Sequence, residues 1–170
     1  SKKLGDKGDV AIVIGMAKAF AARERTAGFK GWIKDNNSGL NVVAEQNADW
    51  DRQKAKELAS TWIQQNPDLK AIFCNNDDMA LGAVNALEEH GIHAGSDVVI
   101  VSVDGTKDAF QAMIDGKLNC AVECNPLLGP QLMKAVQDLM EGKELPLRII
   151  TEEKVYDQTD AREVMKERRY

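Results

Sequence analysis

Five apolar runs, each followed by a stretch with helical periodicity, constrain the fold of this chain more than any other feature. The runs occupy positions 10–15, 41–46, 70–75, 97–103 and 118–123. Continuous apolar runs are typical of strands that helices cover on both faces. Strand–helix repetition favours right-handed crossovers. The sequence therefore predicts an α/β fold, a three-layer α/β/α sandwich with a mostly parallel sheet.

Composition and charge narrow the classes of partner. The chain carries 22 basic and 27 acidic residues, a net charge of −5, and no basic cluster of the kind that nucleic-acid binding requires. It has no run of about 18 apolar residues, the length that a membrane-spanning helix needs. We therefore expect no nucleic-acid partner and no membrane-spanning segment.

Sequence motifs for catalysis and cofactor binding are missing. The chain has no phosphate loop, dinucleotide fingerprint or nucleophile elbow. His90 and His93 flank a helix stop at the edge away from the polar loops, so no Ser–His pair is available there. Three cysteines, Cys74, Cys120 and Cys124, lack disulfide or zinc spacing and fit small buried side chains. We predict no enzyme activity, cofactor or metal, although carboxylates at the ligand edge leave acid–base chemistry open.

Polar and aromatic side chains follow the carboxyl ends of the predicted strands, where open parallel sheets bind ligands. The candidate ligand-binding residues are Arg25, Trp50, Asn76, Asp104, Glu123 and Cys124. Guanidinium groups donate, carboxylates accept and amides do both. An indole ring suits the apolar face of a sugar ring. The pattern predicts a small polyhydroxylated ligand rather than a phosphate or a hydride cofactor.

Each candidate also has a plainer interpretation. Asp77 fits the N-cap of the helix after the third strand, and Asn76 could cap the same helix. Trp50 could fold back onto the core. Arg25 could be a solvated helix charge, and Asp104 could begin a turn. The local pattern leaves these alternatives open.

Several segments, in order and at matching spacing, resemble motifs of ribose-type sugar-binding proteins. They are 21–29 (AARERTAGF), 48–52 (ADWDR), 71–83 (AIFCNNDDMALGA), 103–106 (VDGT) and 114–118 (IDGKL). The resemblance covers nearly the whole chain, and the charged tail resembles the galactofuranose-binding branch. It implies a type I periplasmic-binding fold, in which two lobes close on a sugar.

The resemblance also implies roles for the candidates, position by position. Arg25 would donate to sugar hydroxyls, and Trp50 would stack on the ring. Asn76 would hydrogen-bond hydroxyls, and Asp104 would accept from one or two of them.

One position departs from the family pattern. The family often has Gln in the loop after the fifth strand, where this chain has Cys124 beside Glu123. A thiol replaces an amide poorly as a hydrogen-bonding group. Glu123 could take over that contact.

The resemblance divides the chain into three segments. Residues 1–124 would form the C-terminal sugar-binding lobe. The helix within 125–144 would pack on an N-terminal lobe that this chain lacks. Residues 145–170 would hold a strand that crosses the hinge and a C-terminal tail.

The function implied is that of the solute-binding component of a bacterial sugar ABC transporter. Its partners would be a monosaccharide (a pentose or hexose, with the furanose form as one option) and the membrane permease. Its location would be periplasmic, or extracellular and lipid-anchored, although no signal peptide is visible in this chain. The alternatives are the effector-binding domain of a LacI-type transcription regulator and the sugar-sensing domain of a receptor.

Overall fold

A computed structural model describes residues 2–170 of the chain. Within this described part of the chain, six strands alternate with six helices after a short 3-10 turn at Lys2–Leu4. The strands are β1 Lys7–Ile14, β2 Gly39–Asn47, β3 Leu69–Cys74, β4 Val99–Asp104, β5 Cys120–Glu123 and β6 Val155–Asp157. The helices are α1 Phe20–Asp35, α2 Arg52–Gln65, α3 Asp77–Glu89, α4 Lys107–Ile114, α5 Gly129–Met140 and α6 Ala161–Glu167.

The strands form one sheet in the order β2-β1-β3-β4-β5-β6. Every neighbouring pair from β2 to β5 is parallel, which confirms the predicted α/β class. The remaining strand, β6, is antiparallel and pairs with the outer edge of β5. The sequence predicts an extended segment over 146–156, but the strand itself is confined to Val155–Asp157.

Helices cover both faces of the sheet, so the three-layer prediction is confirmed. On one face α2, α3, α4 and α6 enclose the main core. Its largest fully buried side chains include Phe110, Ile72, Met79, Leu87 and Ile100. On the other face lies α1, which packs over β1, β2 and β3.

The i, i+3, i+4 spacing of Phe29, Trp32 and Ile33 predicts that all three face inward from α1, and the inward face in the structure is narrower. Phe29 stacks on Phe73 of β3, with 4.6 Å between the ring centroids. Ile33 packs beside the same layer. Trp32 is 44% exposed, so its predicted inward position is wrong. It lies about 100° around the helix axis from Ile33 and points largely to solvent.

Helix α5 is amphipathic but buries none of its residues. Its apolar face carries Leu132, Val136, Leu139 and Met140, whose exposed fractions run from 40% to 84%. A face of this kind is typical of a surface that another domain covers. Within residues 2–170, none of the helices combines the length and the apolar character that crossing a membrane would take.

Candidate ligand site

Arg25 connects several loops at the carboxyl edge of the sheet. Its Nη1 donates to the backbone oxygen of Asn75 at 2.6 Å and to Oδ1 of Asp104 at 3.1 Å. Its guanidinium carbon lies 5.9 Å from the centroid of the Trp50 ring. The Arg25 side chain is only 18% exposed, so it is not a freely solvated helix charge. One side chain thus joins α1 to the segments that follow β2, β3 and β4.

Trp50 lies in a loop with unusual backbone geometry. Asp49 and Trp50 have φ angles of 54° and 66°, in the left-handed region that non-glycine residues rarely adopt. The ring is partly buried and packs against the core beside Gly15. A Cβ at Gly15 would overlap the Trp50 ring. The core contact predicted as the plainer alternative is therefore present, and it fixes the ring near Arg25.

Replacing Gly15 by alanine should displace the Trp50 ring, because a methyl group cannot share its space. Overpacking of this kind costs about 1–3 kcal/mol. We expect the indole N–H NMR signal of Trp50 to shift, with those of Trp32 and Trp62 unchanged. Gly28→Ala on α1 is the control, since a Cβ there meets no atom within 4 Å. Equal Trp50 shifts in the two variants would contradict the proposed support of the ring.

Asp104 ends β4 in a strained conformation, with φ at 131°. Its carboxylate is 28% exposed. Burial raises the pKa of this carboxyl to about 6, although the charge and hydrogen bond of Arg25 oppose the rise; the charge of Asp77 adds to it. Strained residues that carry perturbed carboxylates cluster at functional sites. The Asp104 carboxylate is therefore placed to accept hydrogen bonds from a ligand at near-neutral pH.

Of the two residues that fit the N-cap of α3, the structure selects Asn76. Asn76 is the N-cap, and its Oδ1 accepts from the Met79 backbone N–H at 3.0 Å. Asp77 is the first helical residue, so the prediction that it caps the helix is wrong. Within residues 2–170 the Asn76 Nδ2 makes no hydrogen bond, and it remains a donor for a ligand.

Asp77 instead supports the turn that follows Asp104, a role that sequence reasoning misses. Its buried carboxylate accepts from Ser102 Oγ at 2.5 Å and from the Thr106 backbone N–H at 2.7 Å. Burial raises the pKa of Asp77, and these hydrogen bonds oppose the rise. The carboxylate therefore joins α3 to the Asp104 turn. Three consecutive polar residues at 76–78 give no local signal for which of them turns inward.

Asn75 is a second residue that sequence reasoning misses. Its side chain is fully buried. Oδ1 accepts from the Gly15 backbone N–H at 3.2 Å, and Nδ2 donates to Thr26 Oγ1 at 3.2 Å. Asn75 thereby fixes the end of β1 and the helix that carries Arg25.

Glu123 and Cys124 have different surroundings, although they are neighbours. The Glu123 carboxylate is buried and accepts from Arg168 Nη1 at 2.6 Å and from Tyr170 Oη at 3.0 Å. Burial acts to raise the pKa of Glu123, but these hydrogen bonds outweigh it and the pKa lies below its usual value. The structure therefore gives Glu123 partners in the C-terminal tail.

Cys124 is exposed and Cys120 is half-buried, so the expectation that all three cysteines are buried is met only by Cys74. Its backbone N–H donates to the Asp104 carbonyl oxygen at 2.9 Å. Burial raises the pKa of the Cys124 thiol, and the nearby Arg25 charge opposes the rise. Through its backbone bond Cys124 lies at the same edge of the sheet as Asp104.

The assembled edge offers chemistry suited to a polyol. Arg25 and the Asn76 amide donate, the Asp104 carboxylate accepts, and the Trp50 indole presents an aromatic surface. Across residues 2–170, His, Cys, Asp and Glu side chains form no group of three that could hold a metal ion. The arrangement can recognise vicinal hydroxyls together with an apolar ring face.

The chain is similar to known proteins over most of its length. Residues 1–144 match the family of periplasmic binding protein domains. The chain is 37% identical to the ribose import binding protein of Bacillus subtilis, over 88% of this chain and 49% of that protein. It is 32% identical to the fructose import binding protein of Bifidobacterium longum, over 97% of this chain and 50% of that protein. The chain spans about half the length of the curated relatives it matches.

Solved structures agree with these sequence matches. One is the periplasmic binding protein component of the arabinose ABC transporter from Shewanella sp. ANA-3, bound to alpha and beta-L-arabinofuranose. Its TM-score is 0.90 at 34% identity, covering 99% of this chain and 56% of that chain. A galactofuranose binding protein gives a TM-score of 0.90 at 27% identity, covering 98% of this chain and 58% of that chain.

Proposed function

Because the chain belongs to the family of periplasmic binding protein domains, we propose that it forms most of one lobe of a bacterial sugar receptor that serves an ABC transporter. Members of this family are binding proteins rather than enzymes. The relatives named above are import or sugar-binding proteins, which does not favour the transcription-regulator alternative. The observation that carries the proposal is the convergence of Arg25, Trp50 and Asp104 on one edge of the sheet.

In the proposed complex each side chain of the site makes one kind of contact with the sugar. The free N–H groups of Arg25 donate to sugar hydroxyls, and the Asp104 carboxylate accepts from one or two of them. The Asn76 Nδ2 donates to a further hydroxyl. Trp50 covers the apolar face of the ring. Cys124 borders the same site, whereas Glu123 acts from behind it through the tail.

The second wall of the binding cleft is proposed to come from an N-terminal lobe. In this proposal residues 1–124 belong to the sugar-binding lobe, and residues 145–170 carry the hinge-crossing strand and a tail whose β6 and α6 pack on that lobe. The helix within 125–144 packs its exposed apolar face on the other lobe. Sugar binding favours the closed arrangement of the two lobes, since only that arrangement lets both contact the ligand. The closed form docks on a membrane permease, either in the periplasm or from a lipid anchor outside the cell.

The proposed ligand is a monosaccharide, a pentose or hexose bound as a furanose. The solved relative with arabinofuranose and the galactofuranose binding protein support a five-membered ring. Calorimetry of the two-lobed protein against pentoses and hexoses tests the function. We expect saturable binding of at least one sugar, and no binding across the panel would remove the proposal.

Sugar binding should weaken as the pH falls through 6. The pKa of Asp104 is raised to about 6, so its carboxylate gains a proton there and loses acceptor capacity. Burial raises this pKa, the charge and hydrogen bond of Arg25 oppose the rise, and the charge of Asp77 adds to it. We expect affinity to fall by up to about tenfold for each pH unit below the pKa.

The matched control for this pH effect is Asp104→Asn. It should bind more weakly at pH 7 and show a flat affinity between pH 5 and pH 7. Parallel pH profiles in the two proteins would show that Asp104 does not contact the sugar.

A further inference from the structure

A buried arginine ties the C-terminal tail to the back of the candidate site. The Arg168 and Glu123 side chains are only 5% and 9% exposed, and Nη1 lies 2.6 Å from Oε1. Three aromatic rings surround the guanidinium group. Their centroids lie 4.8 Å (Phe110), 5.3 Å (Tyr156) and 4.7 Å (Tyr170) from its central carbon. We name these five side chains the tail clasp.

The tail clasp contacts both loops that carry the Asp104 side of the site. Glu123 is the last residue of β5, directly before Cys124. A Cβ built on Gly105 would lie 3.9 Å from Nη1 of Arg168. The Tyr170 carbonyl oxygen accepts from the Lys107 backbone N–H at 2.8 Å. The segments after β4 and β5 therefore both contact the tail, residues 168–170.

The turn after β4 needs such support because its backbone is strained. Asp104 and Gly105 have φ angles of 131° and 77°. A strained non-glycine residue persists only where its surroundings over-determine its conformation. Asp77 holds one side of this turn through the Thr106 N–H. On the other side the tail clasp supplies the contacts.

Ala161, Val164 and Met165 hold α6 on the core, and Arg168 supplies the buried charged contact that follows them. A cavity of about 380 Å³ lies between α6 and residues 123–127, so continuous apolar packing does not fill the junction. The planar guanidinium group bonds a carboxylate and stacks on rings at once, which an ammonium group cannot reproduce. Loss of Arg168 would also leave the Glu123 charge buried without its partner.

We propose that Arg168 is a positioning residue of the sugar site, which fixes the Asp104 turn and the Cys124 loop through Glu123, Gly105 and Tyr170. It contacts no ligand itself. The role in affinity rests on the proposed sugar function, whereas the role in fixing the turn does not.

Amide hydrogen exchange tests the positioning role without a sugar. Arg168→Gln is compared with Arg162→Gln, which removes the same charge from an exposed position on α6. We expect the amides of Gly105, Thr106 and Lys107 to exchange at least about tenfold faster in Arg168→Gln only. Amides of β1 and α2, remote from the tail, should keep their wild-type rates.

A second variant covers the case in which Arg168→Gln does not fold. Glu123→Gln combined with Arg168→Gln removes both charges, so no unpaired ion stays buried. We expect the same local rise in exchange at residues 105–107. A rise confined to residues 161–170, or a uniform rise over the whole chain in the double variant, overturns the proposal.

Affinity measurements on the two-lobed protein complete the test. Arg168→Gln should lower sugar affinity about tenfold. Arg168→Lys should recover part of the loss, since lysine restores the positive charge but not the planar guanidinium group with its paired N–H donors. Arg162→Gln should bind as wild type does. Wild-type protein that binds no sugar refutes the proposed function, and the exchange result still decides the role of Arg168. Unchanged affinity in Arg168→Gln, in a protein that binds sugar, refutes the positioning role.

Discussion

Replacing Arg25 by alanine should lower sugar affinity by at least about a hundredfold, since hydrogen bonds to charged groups contribute about 1.5–3 kcal/mol each. The variant loses the donors proposed for the sugar hydroxyls. It also leaves the Asp104 carboxylate partly buried without the charge that now lies 3.1 Å away. The pKa of Asp104 then rises further, because burial acts on it unopposed by Arg25. Calorimetry of the two-lobed protein at pH 7 measures the loss.

Two other arginine variants separate this effect from a general loss of charge. Arg23→Ala removes an exposed arginine from the same helix and should bind as wild type does. Arg25→Lys keeps a positive charge near Asp104 but loses the planar guanidinium group with its paired N–H donors. The sugar affinity of this variant should therefore lie between those of wild type and Arg25→Ala. If Arg25→Ala and Arg23→Ala bind equally well, the site is not organised around Arg25.

Local sequence patterns predict most of this fold because its strand–helix units are each formed by residues that are close together in the sequence. Each strand from β1 to β5 is followed by a helix, or by the turn that leads to one, and both have short-range hydrophobic signals. For β6 the sequence predicts only an extended segment over 146–156 and not the position of the strand within it. The three residues of β6, Val155–Asp157, pair with β5 because that strand has an open edge, and the two are more than 30 residues apart in sequence. Pairing over that distance depends on the assembled sheet.

Arg25, Trp50 and Asp104 come together because parallel strands bring all their carboxyl ends to one edge of the sheet. The topology does not determine which of several neighbouring side chains faces the site. In the polar triplet at 76–78, a one-residue difference in where α3 begins decides that Asn76 caps the helix and Asp77 turns inward.

Glu123 shows a second limit of sequence reasoning. Its partner Arg168 lies 45 residues away, in a tail whose composition gives no sign of a buried ion pair. A carboxylate at the end of a strand has the same local pattern whether a ligand or the tail binds it. Only the three-dimensional arrangement distinguishes the two.

A single methyl group added at Gly82 should destabilise the fold by about 1–3 kcal/mol, the usual cost of overpacking a core. Helices α2 and α3 meet at this residue, which is buried. A Cβ there would overlap the carbonyl oxygen of Arg52 and lie 3.1 Å from the backbone nitrogen of Lys56. Both are backbone atoms, so no side-chain rotation relieves the overlap and the helices must separate. Urea unfolding of Gly82→Ala, followed by circular dichroism, measures the loss as a lower midpoint.

Gly31→Ala is the matched control, because it makes the same change within α1 where a Cβ meets no atom within 4 Å. Alanine restricts the unfolded chain more than glycine does, so this variant should gain about 0.4–1 kcal/mol of unfolding free energy. The two substitutions are chemically identical, and their opposite signs would isolate the contact with α2. Equal midpoints for Gly82→Ala and wild type would mean that α2 and α3 do not pack as closely as described here. The helix that carries Asn76 and Asp77 would then lack a fixed position relative to the Trp50 loop.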